Sequence, residues 1–285
     1  MSHLKPTNDF LFKQIFGSTK NEDLLKDLLE SILTDIKIDN VHVNKDVSLE
    51  RKLITDKLGI LDVVATLNDG IRVNIEMQVK DYYNTVERSL FYVTGVFHES
   101  LDSGQDYIDI PRSISIWITN YDVFNEGSFH EKANLKRDYE NIILTEKLEL
   151  HYIQLTKFKR KCKRISSKIE QWLEFIVNEN LEEIKMSNNK YVKKAEKELE
   201  YLTGDDETRR LAYLREKAIR DEAAALTKAR REGIAEGLSQ GISQGISQGK
   251  KNEKLQIAKK MLAEKIDINT IIRITELTKE EIEKL

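Results

Sequence analysis

A mixed α/β core followed by a helical C-terminal extension is the fold class that this sequence predicts. Three observations carry it: helical apolar spacing at the start, strand-like alternation through the middle, and no strand signal after Phe158. From Asn8 to Leu33, Phe12, Ile15, Phe16, Leu24, Leu25, Leu28, Leu29 and Ile32 recur at helical spacing, and Gly17 breaks the run into two helices. Residues 41–53 alternate loosely and read as a strand. Ile60–Leu67 is a β-branched apolar run, Asn68-Asp69-Gly70 is a hairpin turn signal, and Ile71–Val79 is the returning strand. Residues 84–101 return to helical spacing through Val86, Leu90, Phe91, Val93 and Phe97. Arg112–Thr119 and Leu148–Leu155 alternate as two more strands. Residues 165–202 read as helices, with Ile169, Trp172, Leu173, Ile176 and Val177 on one buried face.

The composition narrows the chemistry. The chain has 285 residues, enough for one sizeable core plus extra helices, and a change to charged helical sequence near Gly204-Asp205-Asp206 divides it into a core domain at 1–204 and a helical tail at 205–285. A net charge of −3 gives no global basic field, so contact with nucleic acid must come from a local patch. A lone cysteine, Cys162, excludes an internal disulfide framework. No apolar run is long enough to span a membrane, and the opening MSHLKPTNDF has no apolar signal core, so a cytoplasmic protein is expected. The histidines are scattered, which leaves no readable zinc cluster, and neither a Walker loop nor a nucleophile elbow occurs.

The hairpin carries the chemistry. In VNIEMQVK (residues 73–80), Ile75, Met77 and Val79 share one face, and Glu76, Gln78 and Lys80 share the other. Asp62 and Glu76 are equidistant from the turn centre at Asp69, so a hairpin turned there pairs them across the two strands. Two carboxylates so placed are either solvated acids on an outer face or, since they repel when close, partners of a cation. Mg²⁺ is the natural cation, because it takes oxygen ligands and binds through one or two carboxylates plus waters.

The segments NDFLFKQIFG (8–17), GILDVVATLNDG (59–70), NIEMQ (74–78) and ERSLFY (87–92), in that order, resemble the recombination-promoting nuclease (Rpn) family of the PD-(D/E)XK nuclease superfamily. The resemblance covers residues 1 to about 200. It implies a restriction-endonuclease-like core of a mixed sheet flanked by helices, and Mg²⁺- or Mn²⁺-dependent hydrolysis of DNA phosphodiester bonds, linked to recombination or mobile elements. Asp62 matches the family's metal-binding aspartate and Glu76 the acid of the (D/E)-x-K motif. The backbone carbonyl of Met77 is the implied third metal ligand. Gln78 falls where the superfamily usually has lysine; it can orient water but carries no charge, and Lys80 is the candidate to supply that charge. Asp9 matches the family's N-terminal aspartate and either approaches the metal or caps a helix. Glu22 and Asp23 read as first-turn charge more readily than as further acids of the site. Arg88 holds a DNA phosphate or pairs with Glu76 or Asp62.

Outside the hairpin, KFKRKCKRISSK (157–168) is either a solvated helix face or a footprint for the DNA backbone, with Lys159, Arg160, Lys161, Lys163 and Arg164 as the candidate contacts. Further on, Gly233, Gly237, Gly241, Gly245 and Gly249 recur every four residues, with Ile234, Leu238, Ile242 and Ile246 one step behind. A flexible linker would lack that column, so a helix that self-associates into a homo-oligomer, a dimer, through this ridge is the favoured reading. The terminal DINTIIRITELTKEEIEKL superficially resembles a helix-turn-helix, but five acids against three bases favour an oligomerisation or partner-binding cap. The two resulting functions are a metal-dependent DNA endonuclease and a catalytically inactive DNA-binding or oligomeric scaffold acting through its tail.

Overall fold

The computed structural model describes residues 4–44, 62–101, 104–161, 165–177 and 187–285. Two compact units divide the chain, Met1–Ile219 and Arg220–Leu285. The first is built on a sheet of β1 (Val41–Asn44), β2 (Val63–Leu67), β3 (Arg72–Gln78), β4 (Ser113–Thr119), β5 (His130–Asn134) and β6 (Leu148–Gln154), in the order β1-β2-β3-β4-β6-β5. β3, β4 and β6 are parallel, and the remaining pairings are antiparallel. The strand expected over 41–53 is present as β1, and its continuation falls outside the described residues.

Period two decides what each face meets. Val63, Ala65, Val73, Ile75, Met77, Ile114, Ile116 and Ile118 look into a core filled by α1 (Asp9–Phe16), α2 (Glu22–Ile32), α5 (Lys168–Val177) and α6 (Lys190–Gly204). Gly17 follows the end of α1, where a Cβ would stand 2.6 Å from the Lys13 carbonyl oxygen, so a glycine suits the position. Val64, Trp117, Leu150 and Tyr152 look the other way, against Tyr92, Val93 and Val96 of α3 (Thr85–His98). The face that carries Glu76 is therefore covered by α3 and is not wet. Val86, Leu90 and Phe91, which carry the helical spacing, are on the outer side of α3, which turns Thr85, Ser89, Tyr92, Val93 and Val96 inward.

The turn sets the register. Asp69 and Gly70 both take positive φ (58° and 72°), as an Asn-Asp-Gly sequence permits, and the Leu67 N–H reaches the Ile71 carbonyl at 2.8 Å. Val63 pairs with Ile75 and Val64 with Asn74. One step outward, the same count brings Asp62 opposite Glu76.

Edge strand β5 (HEKAN) shows no apolar alternation and is absent from the sequence reading. Polar contacts tie it down. Buried Glu149 in β6 receives Lys132 at 2.8 Å, Arg112 at 2.5 Å and His151 Nε2 at 2.6 Å, and His151 meets His130 at 2.8 Å. Burial opposes the Glu149 charge, yet His151, Lys132 and Arg112 together hold its carboxyl well below the usual range.

α4 (Leu155–Lys161) follows β6 directly, and α7 (Asp206–Ala263) is a helix of 58 residues. In the second unit, Ala258 of α7 packs with Ile271 of α8 (Ile268–Thr275), Leu277, and Ile282 of α9 (Lys279–Ile282). Asp267 caps α8 and a Thr278–Glu281 capping box starts α9. Among the described residues no helix is long and apolar enough to cross a membrane.

Candidate active site

Asp62 and Glu76 meet where the hairpin opens. The Asp62 N–H donates to Glu76 Oε1 at 3.3 Å, and the Met77 N–H donates to Asp62 Oδ2 at 2.8 Å. Glu76 is 1% exposed although it lies on the polar face of β3. Asn74, on the same face and fully buried, has both side-chain polar atoms without a partner at hydrogen-bonding geometry. Burial pushes the Asp62 carboxyl up to about 7 against the Met77 N–H, which favours the anion; Asp9 adds to the rise, and Lys13 and Arg215 oppose it. Burial, then the Asp62 charge, holds Glu76 well above the usual carboxylate range, with the Asp62 N–H and Arg88 acting the other way. A half-buried and a buried acid are thus held side by side, each raising the cost of the other's charge.

Gln78 and Arg88 form the adjoining pair. Arg88 Nη1 donates to Gln78 Oε1 at 3.2 Å, and the guanidinium lies 5.4 Å from the Trp117 ring and 5.6 Å from the Tyr92 ring. Those aromatic faces, with the Tyr92 hydroxyl at 3.4 Å, fix its orientation. Lys80 is two residues past the end of β3, in a bend, so the strand's alternation no longer determines its direction.

The backbone adds a third oxygen. Gln78 directs its carbonyl to the Asn120 N–H at 2.9 Å, on the β4 side. Successive residues of a strand point their peptide groups to opposite sides, so Met77 turns its N–H and C=O away from β4, and its N–H reaches Asp62. Among the described residues no group of three or more His, Cys, Asp or Glu side chains could hold a metal. The donors at hand are two carboxylates and the Met77 carbonyl. This all-oxygen set suits a hard divalent cation that keeps several waters.

Asp9 does not cap α1. Asn8 does, its Oδ1 accepting from the N–H groups of Phe10 (3.1 Å) and Leu11 (3.3 Å). The residue before Asp9 already has the extended backbone of a cap, which leaves the Asp9 carboxyl for another partner: Oδ2 accepts from Arg215 Nε at 2.7 Å. Arg215 was missed in the sequence, where nothing distinguishes it from the other cations of a charged helix. Glu22 and Asp23 have structural partners. Glu22 accepts from the Val43 N–H at 2.9 Å, and Asp23 pairs with Lys194 at 2.7 Å.

The basic stretch begins at the same C-terminal end of the parallel strands as Gln78, two strands away. Gln78, Thr119 and Gln154 form one row across the parallel strands, and α4 starts at the next residue. Lys157 is buried with its ammonium on the Glu126 carbonyl. Arg160 meets Asp122 at 2.5 Å and Lys161 the Gly127 carbonyl at 2.5 Å; Lys159 precedes them on α4. Lys163 and Arg164 fall outside the described residues.

Residues 6–229 match the model of the PD-(D/E)XK nuclease family transposase. The chain belongs to this family. The mixed sheet with flanking helices is the fold expected of it, and the Rpn resemblance is upheld. PD-(D/E)XK nucleases generally use divalent metal ions. Residues 251–285 match the C-terminal HTH domain of the Rpn/YhgA-like nuclease family, which corrects the reading of the terminal segment as an oligomerisation or partner-binding cap. Counting acids in that segment alone missed their partners on α7: Lys251 pairs with Glu281 at 2.8 Å and Lys254 with Glu276 at 2.5 Å. Two of those acids thus hold the helices of the unit together. No curated protein and no solved structure matches the chain.

Proposed function

We propose that the protein is a Mg²⁺-dependent DNA endonuclease, also able to use Mn²⁺, that hydrolyses phosphodiester bonds in a pathway of recombination or mobile elements. The observation that carries this is the pairing of half-buried Asp62 with buried Glu76 at the mouth of the β2–β3 hairpin. Burying two acids together costs stability unless something occupies the space between them. A scaffold acting only through its tail has no use for that cost, which weighs against the inactive alternative. Asp62, Glu76 and the Met77 carbonyl would hold the cation. When bound, such an ion supplies Lewis-acid stabilisation at phosphorus and lowers the pKa of a water. Gln78, its carbonyl oxygen held by Arg88, presents its amide N–H groups to orient that water. Arg88 brings positive charge beside Glu76, and Lys80 is a second source of charge at the strand end.

Lys159, Arg160 and Lys161 on α4, with Lys163 and Arg164 of the same basic run, would contact the DNA backbone, Arg160 exchanging its present partner Asp122 for a phosphate. The C-terminal HTH unit is a second DNA-binding element of a cytoplasmic protein. The tail helix pairs with a second copy through its glycine ridge, a reading supported by Ile234, Leu238, Ile242 and Ile246, all more than half exposed. The deciding experiment is plasmid nicking in Mg²⁺ by wild type and Asp62→Ala. Nicking by wild type alone is expected; equal nicking by both, or by neither, overturns the assignment.

A further inference from the structure

Arg215 is on α7, distant in sequence from every motif of the hairpin, yet it reaches the Asp9 side chain at the N-terminal end of α1. Its Nε and Nη2 stand 2.7 and 2.6 Å from the same Asp9 oxygen. Two anchors fix that approach. Asn8 Nδ2 donates to the Ala212 carbonyl at 3.1 Å, joining the α1 cap to the turn of α7 that precedes Arg215, and Ala212 itself is fully buried in the main core. The other Asp9 oxygen accepts from the Phe10 N–H at 2.8 Å, so the carboxylate cannot turn away.

The arrangement leaves donors over. A guanidinium carries five N–H groups in a planar fork. Asp9 engages only the Nε–Nη2 edge, and the Arg215 side chain remains 53% exposed. Asp9 and Arg215 are also among the charges that bear on the Asp62 carboxyl. Together they make a cation oriented beside an acidic centre, with part of its fork toward solvent. A phosphate oxygen on an incoming strand is the ligand that this geometry suits, because a fixed fork matches two of its oxygens.

We propose that Arg215 binds a backbone phosphate of the DNA substrate, with Asp9 as the residue that positions it. This rests on the nuclease reading of the Asp62–Glu76 site. It also makes that site depend on a residue of the long helix, so a fragment ending at Gly204 lacks one of its cations.

The test uses the full chain, stripped of metal with EDTA, and a short DNA duplex titrated across a range of NaCl. Wild type, Arg215→Ala, Arg215→Lys and Asp9→Asn are compared after thermal melts confirm that each is folded. Losing one phosphate contact makes the slope of log K against log salt shallower by about 0.9. Arg215→Ala is expected to show that change with binding about tenfold weaker. Arg215→Lys is expected to retain the slope, and Asp9→Asn to retain it with weaker binding. An unchanged slope in folded Arg215→Ala overturns the proposal. If the alanine variant does not fold, Arg215→Gln is read by the same criterion. The readout needs no cleavage, so failure of wild type to nick plasmid would remove the nuclease reading without changing this result.

Discussion

Replacing Asp62 with asparagine should stabilise the metal-free protein in mildly alkaline solution. The amide in Asp62→Asn keeps a side-chain oxygen to accept from the Met77 N–H, now at 2.8 Å, and removes the charge beside buried Glu76. The Asp62 carboxyl is raised from 3.8 to about 7. A folded-state value above the unfolded one means that the group's contribution is most favourable below the unfolded value and is lost as pH rises through the folded one. At about 1.4 kcal/mol per unit, a rise of this size sets a ceiling of about 4 kcal/mol above pH 7. Glu76 is raised as well and acts in the same direction, so relief of its repulsion adds to the effect. Urea unfolding in EDTA should show Asp62→Asn more stable than wild type by about 2–4 kcal/mol near pH 8, with the gap shrinking toward pH 5. Mg²⁺ should then stabilise wild type and leave the variant unaffected, because a ligand stabilises only the state that binds it. Parallel stability profiles for the two proteins across that range would refute the reasoning, since the carboxylates could not then be burdened by burial and by each other.

The Gln78–Arg88 contact predicts that the superfamily's lysine cannot simply be restored: Gln78→Lys sets an ammonium against the guanidinium and should lower both nicking rate and melting temperature, while Gln78→Lys/Arg88→Gln recovers at least about 1 kcal/mol in a double-mutant cycle. An additive cycle would show that the two residues do not act as a pair. A Cβ at Gly237, Gly241 or Gly245 meets nothing within 4 Å, so alanine there should stabilise the helix by about 1 kcal/mol per site in circular-dichroism melts. If the ridge joins two copies, sedimentation of the triple alanine variant should show weaker association; unchanged association would sink the proposed pairing.

The hairpin was readable because a turn sequence fixes register. Once Asn68-Asp69-Gly70 is recognised, period two determines which residues oppose each other and places Asp62 against Glu76. Burial of the polar face was less accessible. Strand alternation says only that Glu76 and Ile75 point opposite ways, and α3 covers the Glu76 side with Ser89, Tyr92 and Arg88, leaving Val86, Leu90 and Phe91 outside. Helical spacing of apolar residues could not reveal that choice of face. β5 was invisible for a related reason: its attachment depends on Lys132 and His130 meeting Glu149 and His151, which are ordinary surface residues when read one strand at a time. Asp9 could be narrowed to two roles but not decided, because its partner is on a helix far along the chain.

In the proposed site, Gln78 stands where the superfamily usually has lysine. A lysine at the Gln78 position would carry its charge on the same strand as Glu76, and the strand alone would define the site. Here the charge is distributed over helices instead. Arg88 on α3 is held by Gln78 and two aromatic rings, and Arg215 on α7 is held by Asp9. The two are not equivalent. Arg88 is partly buried and committed to orienting Gln78, so its loss should act chiefly on turnover. Arg215 keeps half its side chain in solvent, so its loss should act chiefly on binding. An amide at the motif position is therefore intelligible without invoking Lys80: the amide anchors one arginine close to the acids, and a second comes from the helix that leads into the tail.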